Sequence, residues 1–271
     1  MQQHRQIEAI LQNLGSVVVA YSGGVDSTLM AKLAHDVLGA KAIAVTAKSP
    51  SLFPADLAAA CAQAQAIGIA HHVVETAELN NPDYAQNPPN RCYFCKSELH
   101  DTLRPLAQGW GMAAVVDGLN ADDVGDYRPG IAAAKERGVR SPLAEVGMTK
   151  LAVRQLAREL GLANWNRPAS PCLSSRFPYG EAITLEKLER VGAAEFYLKE
   201  RLGLDWELRV RSRQDVATIE IPPQRFGEFW QQIQIADLIA RFRALGFAGV
   251  VLDLEGFRSG KLNDALAART Y

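Results

Sequence analysis

Residues 16–27 read Ser-Val-Val-Val-Ala-Tyr-Ser-Gly-Gly-Val-Asp-Ser, and this stretch decides the fold. The Val-rich run 16–20 has no polar alternation, the pattern of a strand buried on both faces of a parallel sheet. From Ser27 the apolar residues Met30, Leu33, Ala34, Val37 and Leu38 recur at helical spacing, and Gly39 supplies the stop. Residues 22–27 therefore form a turn from a buried strand into a helix N-terminus, where unpaired backbone N–H groups and the helix dipole favour an anion. Gly23 and Gly24 let the backbone approach a phosphate, and the hydroxyls of Ser22 and Ser27 add donors. The turn has neither the Gly-Lys-Ser/Thr of a Walker loop nor the G-x-G-x-x-G of the dinucleotide fingerprint. Asp26 stands there instead of a lysine, and a carboxylate facing phosphates calls for a bridging divalent cation such as Mg²⁺. The plain alternative is a tight turn with Asp26 or Ser27 as a helix cap.

Outward from this turn the alternation continues. Strands are expected around 43–47, 71–74 and 113–118, and helices over 54–67, after Cys95, and over 149–160. Such order means an α/β fold with a doubly wound parallel sheet. The segment Gly118-Leu-Asn-Ala-Asp-Asp123 follows a buried strand and so belongs at the carboxyl edge of the sheet, where open α/β sheets bind ligands; an Asx-type turn is the alternative. A Pro- and Ser-rich stretch, 166–180, lacks periodicity and reads as a linker or a functional loop. Beyond it the order becomes helix (184–202), strand (208–212), strand (216–221), helix (224–245) and strand (250–254), a second, smaller α+β domain. The expected division is 1–165, a loop over 166–182, and 183–271.

Lys and Arg total 29 and Asp and Glu 30 in 271 residues, a formal net charge of −1, so no global basic field invites a nucleic acid; such a partner would need a local patch. No apolar run approaches the roughly 20 residues that span a bilayer. The first residues lack a secretory apolar core and cleavage site. A soluble, cytoplasmic protein is the expectation.

Four cysteines are too few to staple such a chain, which leaves metal, cluster or nucleophile chemistry for some of them. Cys92 and Cys95 form a C-x-x-C just before a helix, a spacing shared by redox dithiols, half zinc sites and iron–sulfur sites. The pair follows a Pro-rich loop and not the first strand, which argues against a thioredoxin-like role. Cys172 lies in the long loop between Arg167 and Arg176, and neighbouring positive charge lowers a thiol's pKa. Cys61, in an Ala-rich helix, reads as a small hydrophobe. Arg209, Arg211 and Arg213 alternate along a strand and so share one face, suited to phosphate or carboxylate unless that face is simply solvated.

Ser22–Ser27 resembles the PP-loop of the N-type ATP pyrophosphatases, with the adenine nucleotide alpha-hydrolase fold. Together with GLNADD at 118–123 and PCLSSRFPYG at 171–180, the chain resembles, over essentially its whole length, the LarE family, the sulfur-inserting enzymes of nickel-pincer nucleotide biosynthesis. The resemblance implies an enzyme that adenylates carboxylates of pyridinium-3,5-biscarboxylic acid mononucleotide with ATP and converts them to thiocarboxylates, for a nickel cofactor used by lactate racemase. It implies ATP at Ser22, Gly23, Gly24, Asp26, Ser27, Gly118 and Asp122, with Mg²⁺ at Asp26. Arg128, Pro129 and Gly130 are the next candidates. Arg209 and Arg211 match an anion-binding Arg-x-Arg, and Glu195 is a weaker match for substrate binding. Members differ in their sulfur source. In one kind a cysteine matching Cys172 gives up its own sulfur and becomes dehydroalanine; in the other, three cysteines hold a 4Fe-4S cluster whose fourth iron carries a replaceable sulfide. Cys92, Cys95 and Cys172 fit the second kind, with zinc and His100 as the competing metal reading. A homo-oligomer with a small-molecule nucleotide substrate is expected. A transfer-RNA-thiolating relative is the rival function.

Overall fold

The computed structural model describes residues 2–125, 129–203, 206–258 and 261–264. Among them two compact units separate, one within 1–81 and 90–170, the other within 82–89 and 171–271. The break falls between Ser170 and Pro171, and the eight residues 82–89 belong with the C-terminal unit.

In the first unit, β1 (Val17–Ala20) forms where three consecutive valines are buried from both sides. Val17 and Val19 pack among Ile7, Leu11, Leu29, Leu33 and Val153, whereas Val18 packs with Val45, Leu103 and Ala107. The parallel sheet is completed by β2 (Ala42–Lys48), β3 (Ala70–Glu75) and β4 (Ala114–Val116), in the order β3-β2-β1-β4. Helices α1 (Gln2–Leu14), α2 (Val25–Leu38) and α3 (Pro54–Ile67) supply the first of these clusters. After the single turn α4 (Pro82–Ala85), α5 (Arg91–Gly109) covers the opposite face. Then follow α6 (Pro129–Glu136), α7 (Pro142–Glu145) and α8 (Lys150–Glu159), the last packed with α1 and α2. Helices on both faces make this the doubly wound sheet expected. Because the chain runs from β1 through β2 to β3 and then places β4 on the other side of β1, the strand order reverses between β1 and β4, and ligands bind at the carboxyl ends of such a pair.

The second unit contains α9 (Leu185–Leu202) and a three-stranded sheet in which β5 (Arg209–Arg213) runs antiparallel to β6 (Val216–Glu220). Helices α10 (Phe226–Gln232) and α11 (Ile235–Ala244) precede β7 (Gly249–Leu252), which pairs in parallel with β6.

Three local expectations are corrected. The single helix at 224–245 is two, because Ile233 takes an extended conformation with its side chain buried and ends α10. Helix α2 starts at Val25: Gly24 is the extended N-cap, and the Thr28 N–H donates to its carbonyl at 2.9 Å. Asp26 and Ser27 are thus inside the first turn, and neither caps it. Helix α5 starts at Arg91, so Cys92 lies in its first turn and Cys95 at the start of its second, and neither precedes it. Among the described residues no helix is long and apolar enough to cross a membrane.

Candidate active site

The turn after β1 is ordered by its own serines. Ser27 Oγ donates to the Gly24 carbonyl at 3.1 Å, accepts from the Ser22 N–H at 3.2 Å and lies 3.1 Å from Ser22 Oγ. Gly23 adopts a left-handed φ of +73°, and a Cβ there would stand 2.7 Å from Ala60 Cβ, so both conformation and space require glycine. The turn after β4 meets this one directly: a Cβ on Gly118 would fall 2.6 Å from the Ser27 backbone nitrogen. Ser22, Gly23, Gly24, Asp26, Ser27 and Gly118 are therefore gathered at the strand-order reversal. Such a backbone cradle at a helix N-terminus fits a polyphosphate.

Asp26 is the centre of a contact set that the sequence did not reveal. One carboxylate oxygen accepts from Asn120 Nδ2 at 3.2 Å, and the other pairs with the ammonium of Lys150. Asp122 accepts the Lys150 backbone N–H at 2.9 Å, fixing the start of α8. Asn120 also closes an Asx turn, its Oδ1 accepting from the Asp122 N–H at 3.0 Å, so the turn expected as the alternative for this segment is present. Asn164 Nδ2 donates to the Gly23 carbonyl at 3.1 Å and to Thr28 Oγ1 at 3.0 Å, tying the loop to α2. Asp117, at the end of β4, has its carboxyl pushed up by burial while Ser141 and the Leu119 N–H donate to it. Signals for Lys150 and Asn164 were weak: a lysine one residue after a capping threonine, and an asparagine between Ala and Trp. Asp26 supplies the hard oxygen that Mg²⁺ takes beside substrate phosphates, so the donor set fits that ion.

Cys92 is exposed and Cys95 half-buried, three residues apart on one face of α5. Gly130, at the start of α6, lies against Lys96 and the Cys92 carbonyl; Pro129 opens that helix, and Arg128 lies outside the described residues. His100 is fully buried, both ring nitrogens lack a partner among the described residues, and burial together with Lys96 and Arg137 lowers its pKa to about 3. Among the described residues no three His, Cys, Asp or Glu side chains converge on one point, so His100 is not gathered with Cys92 and Cys95 into a zinc site. Cys61 is exposed, not packed as a small hydrophobe.

In the second unit Cys172 is half-buried and precedes the single turn 173–176. Its carbonyl accepts from Ser175 N at 2.9 Å, Ser175 Oγ at 2.8 Å and Arg176 Nη1 at 3.3 Å. Residues 82–89 brace the same loop: Tyr84 OH and Ser174 Oγ are 2.6 Å apart, and Asn87 Nδ2 donates to the Pro178 carbonyl at 2.8 Å. The two flanking arginines do not offer unmatched charge. Arg167, in the first unit, pairs with Asp56 at 2.5 Å, and Arg176 forks onto Glu195 at 2.6 and 3.0 Å.

Glu195 is fully buried, and both its oxygens are occupied, by Arg176 and by the Val210 N–H at 2.9 Å. Burial opposes its charge, yet Arg176, Arg209 and the Val210 N–H hold its carboxyl below the usual range. In this structure the carboxylate positions Arg176 and β5. Arg209 is buried over Phe257, and burial with Arg176 nearby lowers its pKa to about 10. Arg211 pairs with Glu220 at 2.7 Å and donates to the Ser175 carbonyl at 2.9 Å, which joins β5 to the cysteine turn. Arg213 on the same face is exposed.

The NAD synthase family model matches residues 5–99, the part that carries the turn after β1 and ends before Gly118. An uncharacterized protein of Synechocystis sp. is 60% identical over 93% of this chain and 94% of its own length. The pyridinium-3,5-bisthiocarboxylic acid mononucleotide synthase of Lactiplantibacillus plantarum is 42% identical over 95% of this chain and 92% of its own. An uncharacterized protein of Methanocaldococcus jannaschii is 29% identical over 90% and 91%. The chain belongs to the family of that synthase, the LarE sulfurtransferases among the PP-loop ATP pyrophosphatases.

Proposed function

We propose that this chain uses ATP to adenylate the carboxylates of pyridinium-3,5-biscarboxylic acid mononucleotide and replaces their oxygen by sulfur. The carrying observation is the crevice at the strand-order reversal, where the glycine turn, Gly118, Asp26 and Lys150 meet. The Lactiplantibacillus relative is named for the bisthiocarboxylic acid product, and the biscarboxylic acid is the substrate that this product and the family resemblance imply.

The N–H groups of the turn and of the first turn of α2 hold the phosphates by backbone donation, and Asp26 would hold Mg²⁺. When bound, the cation neutralises phosphate charge and orients the leaving pyrophosphate. A substrate carboxylate oxygen attacks the α-phosphorus, the bond to the β-phosphate oxygen breaks, and pyrophosphate leaves. The mixed anhydride then carries AMP as a leaving group, which a free carboxylate lacks. Arg209 and Arg211 are assigned to the substrate's phosphate or second carboxylate, and Glu195 to keeping Arg176 on the Cys172 carbonyl.

For the sulfur source we favour Cys92, Cys95 and Cys172 as thiolate ligands of a 4Fe-4S cluster, a choice that rests on their match to the cluster-bearing kind of the family, since no three ligating side chains are gathered among the described residues. Three ligands leave one iron open, and a sulfide there would be the sulfur donor. The rival is Cys172 itself: its thiolate displaces AMP to form a thioester, and elimination of its Cα proton and the Cβ–S bond releases the thiocarboxylate and leaves dehydroalanine.

The test combines chain, Mg²⁺-ATP and the pyridinium mononucleotide. Pyrophosphate release that depends on the mononucleotide, with a sulfur-for-oxygen product by mass, is expected. Equal release without it, or release driven by transfer RNA, overturns the reading. Anaerobic purification then separates the sulfur sources. Iron and acid-labile sulfide near four each per chain, lost in Cys92→Ala or Cys172→Ala, support the cluster. A protein that loses the elements of hydrogen sulfide after one turnover refutes it.

A further inference from the structure

Both oxygens of Asp26 are already engaged, one by Asn120 Nδ2 at 3.2 Å and one by the Lys150 ammonium. Lys150 is not there by the reach of a loose side chain. Its backbone N–H is held by Asp122 Oδ2 at 2.9 Å, and Thr149 caps its helix by accepting the Ala152 N–H at 3.3 Å. Three separate segments, the start of α2, the turn after β4 and the start of α8, thus converge on one carboxylate, and the charges of the pair cancel. The side chains of Lys150 and Asp26 are 36% and 22% exposed, so a dissolved ion can reach them.

We propose that Lys150 is an internal counter-ion that closes Asp26 to a free divalent cation and yields it only when the cation arrives with nucleotide phosphate. The proposal rests on the ATP-dependent reading above. A bare divalent ion taking the Lys150 position would gather three positive charges around one carboxylate. Polyphosphate removes that conflict: it brings compensating charge with the cation and gives the displaced ammonium an anionic acceptor. Asp122 and Thr149 keep the start of α8 fixed during the exchange, so only the lysine side chain moves. The consequence is ordered loading, with no metal-first complex.

Mn²⁺, followed by the electron paramagnetic resonance of the free ion, tests this on the full chain. Without nucleotide the wild-type chain is expected to leave Mn²⁺ free, and adding ATP is expected to bind one Mn²⁺ per chain. Lys150→Gln should bind Mn²⁺ without nucleotide at least tenfold more tightly than wild type, and adding Asp26→Asn to it should abolish that binding. Lys150→Arg, which keeps a cation, should behave as wild type. Nucleotide-independent binding in wild type that Asp26→Asn removes would overturn the proposal, and this comparison needs no Lys150 variant to fold. Equal Mn²⁺ affinity in folded Lys150→Gln and wild type would also overturn it. Because the titration contains no pyridinium substrate, failure of mononucleotide-dependent pyrophosphate release would sink the functional reading and leave the metal result standing.

Discussion

Gly118 shows how much of the site depends on the absence of one methyl group. Its backbone does not occupy the left-handed region, so conformation alone would admit alanine. Space does not: the added Cβ would stand 2.6 Å from Ser27 N, 2.8 Å from Asp26 C and 2.8 Å from Ser27 Cα, all main-chain atoms that no rotamer change can move. Gly118→Ala must therefore push the two carboxyl-edge turns apart. Overpacking of this kind costs about 1–3 kcal/mol, and the phosphate cradle is displaced with it. Calorimetry is expected to find ATP affinity at least tenfold weaker, with a fold that persists in urea titration. Unchanged affinity would mean that the turns do not act as one cradle. The roles of Gly23 and Gly118 were legible in the sequence because each glycine follows a buried strand. The place of Lys150 was not, since it reaches Asp26 across 124 positions and no local pattern records such a pair.

At the scale of elements, the turn carrying Cys172 is held by α9 and β5. Arg176 leaves that turn, forks onto Glu195 in α9 and contacts the Pro171 and Cys172 carbonyls, while Glu195 also accepts from the Val210 N–H of β5. Removing one member of a buried ion pair leaves the other charge uncompensated, which costs about 3–5 kcal/mol. Arg176→Leu is expected to lose that much in chemical denaturation. The double variant with Glu195→Leu should lose less than Arg176→Leu alone, because no lone carboxylate remains. Additive losses would show that the two side chains are not coupled. Sulfur transfer should fall in both, since each removes the guanidinium that bridges the Pro171 and Cys172 carbonyls and leaves only the Ser175 donors on the latter. The sharing of one strand face by Arg209, Arg211 and Arg213 was legible from their period of two. That Glu195 serves the fold was not, because a glutamate in an amphipathic helix looks the same whether it meets water or a guanidinium from another element. The split between α10 and α11 was hidden for a related reason: Ile233 is as apolar as a helix core residue, and only its burial in extended backbone marks the break.

For the whole molecule the most consequential titrating group is one that the chemistry does not use. His100 lies on the inner face of α5 with neither ring nitrogen partnered among the described residues, and burial, Lys96 and Arg137 depress its pKa to about 3, with Asp101 opposing them weakly. An unfolded histidine titrates near 6.5. Between those values the unfolded chain binds a proton that the folded chain refuses, so the stability contributed by a neutral His100 is complete above about pH 6.5 and falls as pH drops toward 3. The slope is at most about 1.4 kcal/mol per pH unit. Glu195, held below its ordinary range, adds loss of the same sign, but only at pH values beneath the usual carboxylate titration. The two losses run together only below the usual carboxylate titration, so between pH 6 and 5 His100 dominates this pair. His100→Leu, which fills the space without a titrating nitrogen, is expected to flatten the fall in urea-unfolding free energy from pH 6 to pH 5 relative to wild type, by up to about 1.4 kcal/mol. Parallel pH profiles for the two proteins would mean that the folded chain accepts the proton after all, through a rotation of the ring or opening of α5, and that the buried imidazole is not a source of acid sensitivity.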